Sequence, residues 1–180
     1  MMDEARSIRL LAMDADGVLT NGEIIYSDAG EEMKVFSILD GLGIAVARHA
    51  GLTTAIVTGR TSPAVERRAR ELGVTYVRQG CSDKGAALRE LLAEVDLRRD
   101  EVAFIGDDIN DLLAFRECGW RVAVSNASED LKAEADYVTK QRGGQGAVRE
   151  VIELILDSQG KWASAVEEYL RHLEQSECRT

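Results

Sequence analysis

The chain has 180 residues, of which 45% are hydrophobic and 30% charged, the balance of an ordinary globular domain. Its net charge of −10 argues against nucleic acid or an anionic membrane as the main partner, since both need a basic footprint. No stretch approaches the ~20 apolar residues of a membrane-spanning helix, and the first residues lack the apolar core of a signal peptide. We therefore expect one cytoplasmic domain over residues 1–180.

The cysteines and histidines limit the kind of metal site that the chain can build. Cys81, Cys118 and Cys178 are odd in number, far apart and without a CxxC pair. This spacing favours reduced thiols over a disulfide framework or a zinc site. Because His49 and His172 are the only histidines, we expect any metal to be held by oxygen ligands.

Strands and helices are predicted to alternate along most of the chain. An apolar run over 8–13 predicts a buried strand, and two strand-like pieces around a Gly-containing turn predict a β-hairpin flap over 21–36. The elements predicted after the hairpin are helices over 41–50, 62–72, 84–95, 109–118 and 147–156, a short helix near 129, and strands over 53–58, 74–78, 101–106, 121–124 and 137–139.

Such alternation is typical of right-handed βαβ crossovers, so we predict an α/β fold with a Rossmann-like parallel sheet and helices on both faces. The segment 161–180 is predicted to be an amphipathic final helix and tail, because Trp162, Val166, Tyr169 and Leu173 recur at helical spacing. The apolar face of this helix has two alternative roles, packing on the chain's own core or contact with another subunit.

The first strand runs directly into Asp14-Ala15-Asp16-Gly17. Residues i and i+2 of a strand point the same way, which brings two carboxylates together at the strand's carboxyl end. Open α/β sheets keep their sites at that edge. An acidic turn with Gly17 as its flexible residue is the structural alternative.

Three further polar clusters follow predicted strands: Thr58-Gly59-Arg60, Lys84, and Gly106-Asp107-Asp108-Ile109-Asn110-Asp111. Each has a structural alternative of its own, namely a turn, a solvated lysine after a helix cap, and an acidic helix start. Together at one edge of a parallel sheet they indicate phosphoryl transfer.

In this interpretation Asp14 attacks phosphorus, and Asp16 is the acid that protonates the leaving alkoxide and then the base for water. Mg²⁺ would be held by Asp14, Asp107 and a backbone carbonyl. The Thr58 hydroxyl, the Gly59 amide and the Lys84 ammonium suit the negative phosphate oxygens.

The same residues resemble the four motifs of the haloacid dehalogenase superfamily. Further segments, including 16–22, 34–36, 40–44 and 143–150, are similar to its small capless branch, and the likeness extends over about residues 8–160. The resemblance implies that Asp14 is nucleophile and metal ligand, that Asp16 is acid/base and a ligand through its carbonyl, and that Asp107 is the third protein ligand. It further implies that Asp108 and Asp111 support the metal and that Thr58, Gly59, Arg60 and Lys84 bind phosphate or substrate.

The resemblance also implies a homotetramer without a cap domain, in which the hairpin helps to close a neighbouring site. The implied substrate is a keto-sugar-acid phosphate, 3-deoxy-D-manno-octulosonate 8-phosphate of lipopolysaccharide biosynthesis, or alternatively a nine-carbon ulosonate 9-phosphate. Arg60 favours the eight-carbon compound, and Arg68 is a further candidate contact. Leu39 departs from the family, which often has a basic residue there. A receiver-like signalling domain and a non-catalytic partner domain are the alternatives from other classes.

Overall fold

A six-stranded parallel sheet forms the centre of the computed structural model, which describes residues 2–177. The strand order is β5-β4-β1-β6-β7-β8, so the first strand lies between β4 and β6. The strands are β1 Leu10–Met13, β4 Thr53–Val57, β5 Tyr76–Arg78, β6 Val102–Gly106, β7 Trp120–Ala123 and β8 Tyr137–Val138, and a separate antiparallel pair is formed by β2 Ile25–Tyr26 and β3 Glu32–Met33.

Helices cover both faces of the sheet, as the alternating sequence pattern predicts. One group consists of α1 Met2–Arg6, α2 Ile38–His49, α7 Ala147–Ser158 and α8 Trp162–Glu177, with α3 Pro63–Leu72 packed beside α2. The second group consists of α4 Lys84–Val95, α5 Leu112–Phe115 and α6 Glu129–Glu134. The predicted fold class is confirmed, and residues 2–177 contain no separate cap domain.

Two predicted boundaries are wrong, both beside polar turns. The sequence predicts a hairpin over 21–36 and a helix from residue 41, but β3 ends at Met33 and α2 begins at Ile38, because Ser37 caps the helix by accepting from the Asp40 amide at 3.3 Å. The helix expected over 109–118 is a 3₁₀ turn over Ile109–Asp111 followed by the four residues of α5.

One face of the final helix packs on its own chain. Ala165 is buried, and Trp162, Val166 and Tyr169 lie against the core, while Leu170 is 52% exposed. Cys81 and Cys118 are free, and Cys178 lies outside the described residues. Among residues 2–177, no helix has the length and apolar character needed to cross a membrane.

Candidate active site

The carboxyl ends of three neighbouring strands place the predicted motifs side by side. Asp14 follows β1, Thr58 follows β4 and Asp107 follows β6. In the register Met13 pairs with Ile56 on one side and with Ile105 on the other, and the Asp14 amide donates to the Ile105 carbonyl at 3.0 Å. The chain fills one half of the sheet with β4 and β5 and then crosses to β6, so the switch point where α/β sheets form ligand sites lies between β1 and β6.

Three carboxylates converge at this point. Asp14, Asp107 and Asp111 each offer an oxygen within 4.8 Å of the others, and Asp14 and Asp111 are almost completely buried. The Lys84 ammonium, also buried, donates to Asp14 Oδ2 at 2.7 Å and to Asp111 Oδ1 at 2.5 Å. When all four groups are ionised, the three carboxylates and one ammonium give the cluster a net charge of −2.

The crowding changes the acidity of these groups. Burial, with the charge of Asp111, raises the pKa of Asp14 to about 6, and burial with the charges of Asp111 and Asp14 raises the pKa of Asp107 to about 7. Burial alone would lower the pKa of Lys84, but the two carboxylates outweigh it and raise that pKa. Lys84 is therefore a fixed cation, whereas Asp14 and Asp107 are partly protonated at mildly acidic pH.

Asp111 is held by two neighbours and not by solvent. Its Oδ1 accepts from Lys84, while its Oδ2 accepts from the Asp107 amide at 2.9 Å and thereby fixes the turn after β6. Only glycine fits at position 106, because a Cβ there would lie 2.5 Å from Asp111 Oδ2. Asp108 is exposed and caps the 3₁₀ turn by accepting from the Ile109 amide at 2.8 Å.

The donor set fits a hard divalent cation. All three clustered groups are carboxylates, the ligands that Mg²⁺ prefers, and their mutual repulsion is what a bound cation would relieve. Gly17 has φ +88°, and a Cβ at that residue would overlap Asp107 Oδ2. The loop after Asp16 can therefore approach Asp107 this closely only because residue 17 is glycine. Asp14 and Asp107 would hold the ion from β1 and β6, with Asp111 holding Asp107 in place.

The Asp16 carboxylate belongs to a different set of contacts. Its Oδ1 accepts a hydrogen bond from Lys34 Nζ, and its Oδ2 lies 3.6 Å from Arg60 Nε. Its side chain is 23% exposed and is not part of the carboxylate cluster. The carboxylates of Asp14 and Asp16 therefore lie in two different environments.

A cavity of about 190 Å³ opens between these two sets of residues. Thr58 is almost completely buried, while Arg60 is exposed at the mouth. The lining of the cavity includes seven of the nine predicted site residues, together with Asn110 and with Gly22 of the hairpin: Asp14, Asp16, Gly22, Thr58, Gly59, Arg60, Asp107, Asp108 and Asn110. The other two, Lys84 and Asp111, are buried, and Lys84 donates to both Asp14 and Asp111. Arg68 lies instead beside Phe36 and Ile38, and Leu39 is 59% exposed at the start of α2.

Several residues that build the site have no role assigned from the sequence, although Lys34 and the glycines at 143, 144 and 146 lie in segments that resemble the family. Glu32 and Lys34 reach it from the hairpin, and no periodicity marks them. Gly143 and Gly144 pack on the loop after Asp16: a Cβ at Gly143 would overlap the Gly17 carbonyl oxygen, and the Gly144 amide donates to the Val18 carbonyl at 2.8 Å. The run Gly143-Gly144-Gln145-Gly146 was the signal that could have indicated a close backbone approach.

The glycine loop is anchored from the opposite side by a buried carboxylate. Asp40 is 1% exposed and accepts from the Gly146 amide at 3.1 Å and from the Arg149 amide at 3.0 Å. These hydrogen bonds connect the start of α2 to the start of α7, which are more than a hundred residues apart in the sequence.

The sequence of this chain is similar to those of known phosphatases. A family model described as haloacid dehalogenase-like hydrolase matches residues 77–152. The 3-deoxy-D-manno-octulosonate 8-phosphate phosphatases of Escherichia coli K12 and Yersinia pestis are each 44% identical, over 88% and 92% of this chain and 84% and 88% of their own.

Two solved structures of such phosphatases are also similar to this chain in fold. The crystal structure of the phosphatase of that name from Moraxella catarrhalis, in complex with a magnesium ion, a phosphate ion and KDO, is 43% identical. The two structures align with a TM-score of 0.90, over 93% of this chain and 97% of the Moraxella catarrhalis chain. A cobalt-bound form from Haemophilus influenzae is 36% identical, with a TM-score of 0.87 over 93% and 99% of the two chains.

Proposed function

This chain belongs to the haloacid dehalogenase-like hydrolases, and we propose that it is a Mg²⁺-dependent phosphatase that converts 3-deoxy-D-manno-octulosonate 8-phosphate to the free sugar acid and phosphate. One observation carries the reaction type: the cluster of Asp14, Asp107 and Asp111 around Lys84, open to a cavity with Asp16 on its other side. The sugar is inferred from relatives that are 44% identical along almost their whole length. Such an enzyme acts in lipopolysaccharide biosynthesis, where this sugar acid is used.

We assign the nucleophile to Asp14, and its hydrogen bonds support this role. Its Oδ1 accepts from the Ala15 amide at 2.7 Å and its Oδ2 from Lys84, so the carboxylate is held in one orientation at the floor of the cavity. In the first step an Asp14 oxygen bonds to phosphorus, the bond from phosphorus to the sugar oxygen breaks, and the proton on Asp16 passes to that oxygen. An aspartyl-phosphate remains on the enzyme.

The second step returns the enzyme to its starting state. Asp16, now ionised, takes a proton from water, whose oxygen bonds to phosphorus while the bond to Asp14 breaks. Thr58, the Gly59 amide and Lys84 would hold the phosphate oxygens through both steps. Asp14 and Asp107 would hold Mg²⁺, which when bound supplies positive charge to the phosphate and offsets the repulsion between the carboxylates.

We also propose that the chain is one phosphatase domain and assembles as a homotetramer in the cytoplasm. Exposed apolar side chains around the hairpin and the start of α2 support an assembly, with Tyr26 62%, Val35 64%, Ile38 84% and Leu39 59% exposed. Two free cysteines support a reducing compartment. Sedimentation equilibrium of the wild type and of Val35→Ser would test the tetramer, and a monomer in both would contradict it.

A phosphate-release screen with purified protein tests the function. We expect hydrolysis of the octulosonate 8-phosphate that requires Mg²⁺ and is lost with EDTA, and a preference for it over a nine-carbon ulosonate 9-phosphate. A preference for the nine-carbon compound would overturn the substrate, whereas a long-lived acyl phosphate without turnover of any phosphomonoester would favour the signalling alternative.

A further inference from the structure

Four charged side chains of alternating sign form a closed ring at the mouth of the cavity. Lys34 Nζ donates to Asp16 Oδ1 and lies 3.0 Å from Glu32 Oε1. Arg60 pairs with Glu32 Oε2 through its NH2 group, and its Nε lies 3.6 Å from Asp16 Oδ2, which closes the ring. The ring joins two carboxyl groups to two cations, and it is neutral when both carboxyl groups are ionised.

Lys34 is the enclosed member of this ring. Its side chain is only 1% exposed, while those of Asp16, Glu32 and Arg60 are 23%, 17% and 44% exposed. It follows directly on β3 of the hairpin, so the hairpin of this chain brings a buried ammonium to the Asp16 carboxylate. A buried ammonium is stable only where anions satisfy it, and here both of its partners are carboxylates.

We propose that Lys34 is a positioning residue for the acid/base step, which it serves by holding Oδ1 of Asp16 so that Oδ2 faces the leaving group. This inference rests on the proposed phosphatase function. Lys34 occupies one oxygen with a hydrogen bond, while the nearest cation of the ring to the other oxygen is at 3.6 Å, beyond hydrogen-bond distance. Oδ2 is thus the oxygen free to carry the transferred proton, and Glu32 holds Lys34 in place.

The position of the acid matters only where the leaving group needs a proton. A sugar alkoxide is a poor leaving group and depends on Asp16, whereas p-nitrophenolate leaves without protonation. A residue that acts through Asp16 should therefore affect the two substrates differently. A residue that binds phosphate or maintains the fold should affect both alike.

Lys34→Met keeps the length and apolar stem of the side chain and removes its hydrogen bond. We expect kcat for the sugar phosphate to fall by about 10- to 100-fold with KM unchanged, the range of a misplaced general acid. The pre-steady-state burst of p-nitrophenolate, which reports phosphorylation of Asp14 alone, should stay within about threefold of the wild type. An equal loss with both substrates, or no loss with the sugar phosphate, would overturn the proposal.

A double-mutant cycle tests whether Lys34 acts through Asp16. Added to Asp16→Asn, Lys34→Met should cause no further loss, and an additive loss would contradict the inference. Lys161→Met, an exposed lysine before α8, is the matched control and should match the wild type. If Lys34→Met fails to fold, Glu32→Gln should show a smaller loss with the same substrate difference. A wild type inactive on both substrates would instead refute the proposed function.

Discussion

The carboxylate cluster predicts that Mg²⁺ and protons compete for the same oxygens. In the metal-free protein Asp14 and Asp107 have pKa values of about 6 and about 7, so both carry protons at mildly acidic pH. Metal ligands must be deprotonated, so binding has to release these protons. Because both pKa values are raised, the affinity for Mg²⁺ should increase as the pH rises through this range and level off above it.

The magnitude follows from the two values. If the two groups titrate independently, the fraction of molecules with both carboxylates ionised is roughly 0.9 near pH 8 and about 0.01 near pH 5.5. The apparent dissociation constant should therefore weaken by roughly 100-fold between these conditions, and about one proton should be released per ion bound near pH 6.5. The two groups interact, which spreads the change over a wider pH range but keeps its direction.

Calorimetric titration with Mg²⁺ in buffers of different ionisation enthalpy measures both the affinity and the protons released. Asp107→Asn should weaken binding and release fewer protons, because the carboxyl with the higher pKa is gone. Asp96→Asn is the matched control: this exposed acid lies in a left-handed turn at the end of α4, where asparagine is equally suited. Equal affinity near pH 5.5 and pH 8, with no proton release, would refute the reasoning.

Three further substitutions test separate parts of the site. Asp14→Asn should abolish phosphate release while leaving the thermal midpoint nearly unchanged, and substantial residual turnover would exclude the covalent mechanism. Lys84→Met leaves two buried carboxylates without their cation, so we expect the free energy of unfolding of the metal-free protein, measured by chemical denaturation, to fall by about 3 kcal/mol. An unchanged midpoint would mean that the ion pairs of Lys84 do not stabilise the fold. Gly143→Ala forces a Cβ against the Gly17 carbonyl, which should lower kcat and cost about 1–3 kcal/mol in the free energy of unfolding; wild-type values in both assays would show that the loop moves aside freely.

The sequence predicts the framework of the site because parallel strands obey simple rules. Apolar runs mark β1, β4 and β6, and the polar residue after each run must lie at one edge of the sheet. The positions of Asp14, Thr58 and Asp107 follow from that alone. The depth of burial that raises the pKa of Asp107 does not follow, since it depends on Asp111 folding back beneath it.

Contacts between distant segments could not be predicted in the same way. Lys34 and Asp16 are 18 residues apart, and Asp40 and Gly146 are 106 apart, with no strand pairing to bring either pair together. The start of α2 was misplaced because the cap at Ser37 competes with the strand-like pattern before it. These features arise from packing, and a residue pattern read locally does not contain them.

The most informative separation in the structure is between Asp14 and Asp16, which are two residues apart and share one loop. Asp14 lies in a cluster with two uncompensated negative charges, which attracts a divalent cation and then a phosphate. Asp16 lies in a ring with Lys34, Glu32 and Arg60, whose two cations offset the charges of the two carboxylates. Enzymes assign different roles to paired carboxylates by placing them in different environments. Here the hairpin supplies the second environment, so a chain without a cap domain still provides its acid with a partner of its own.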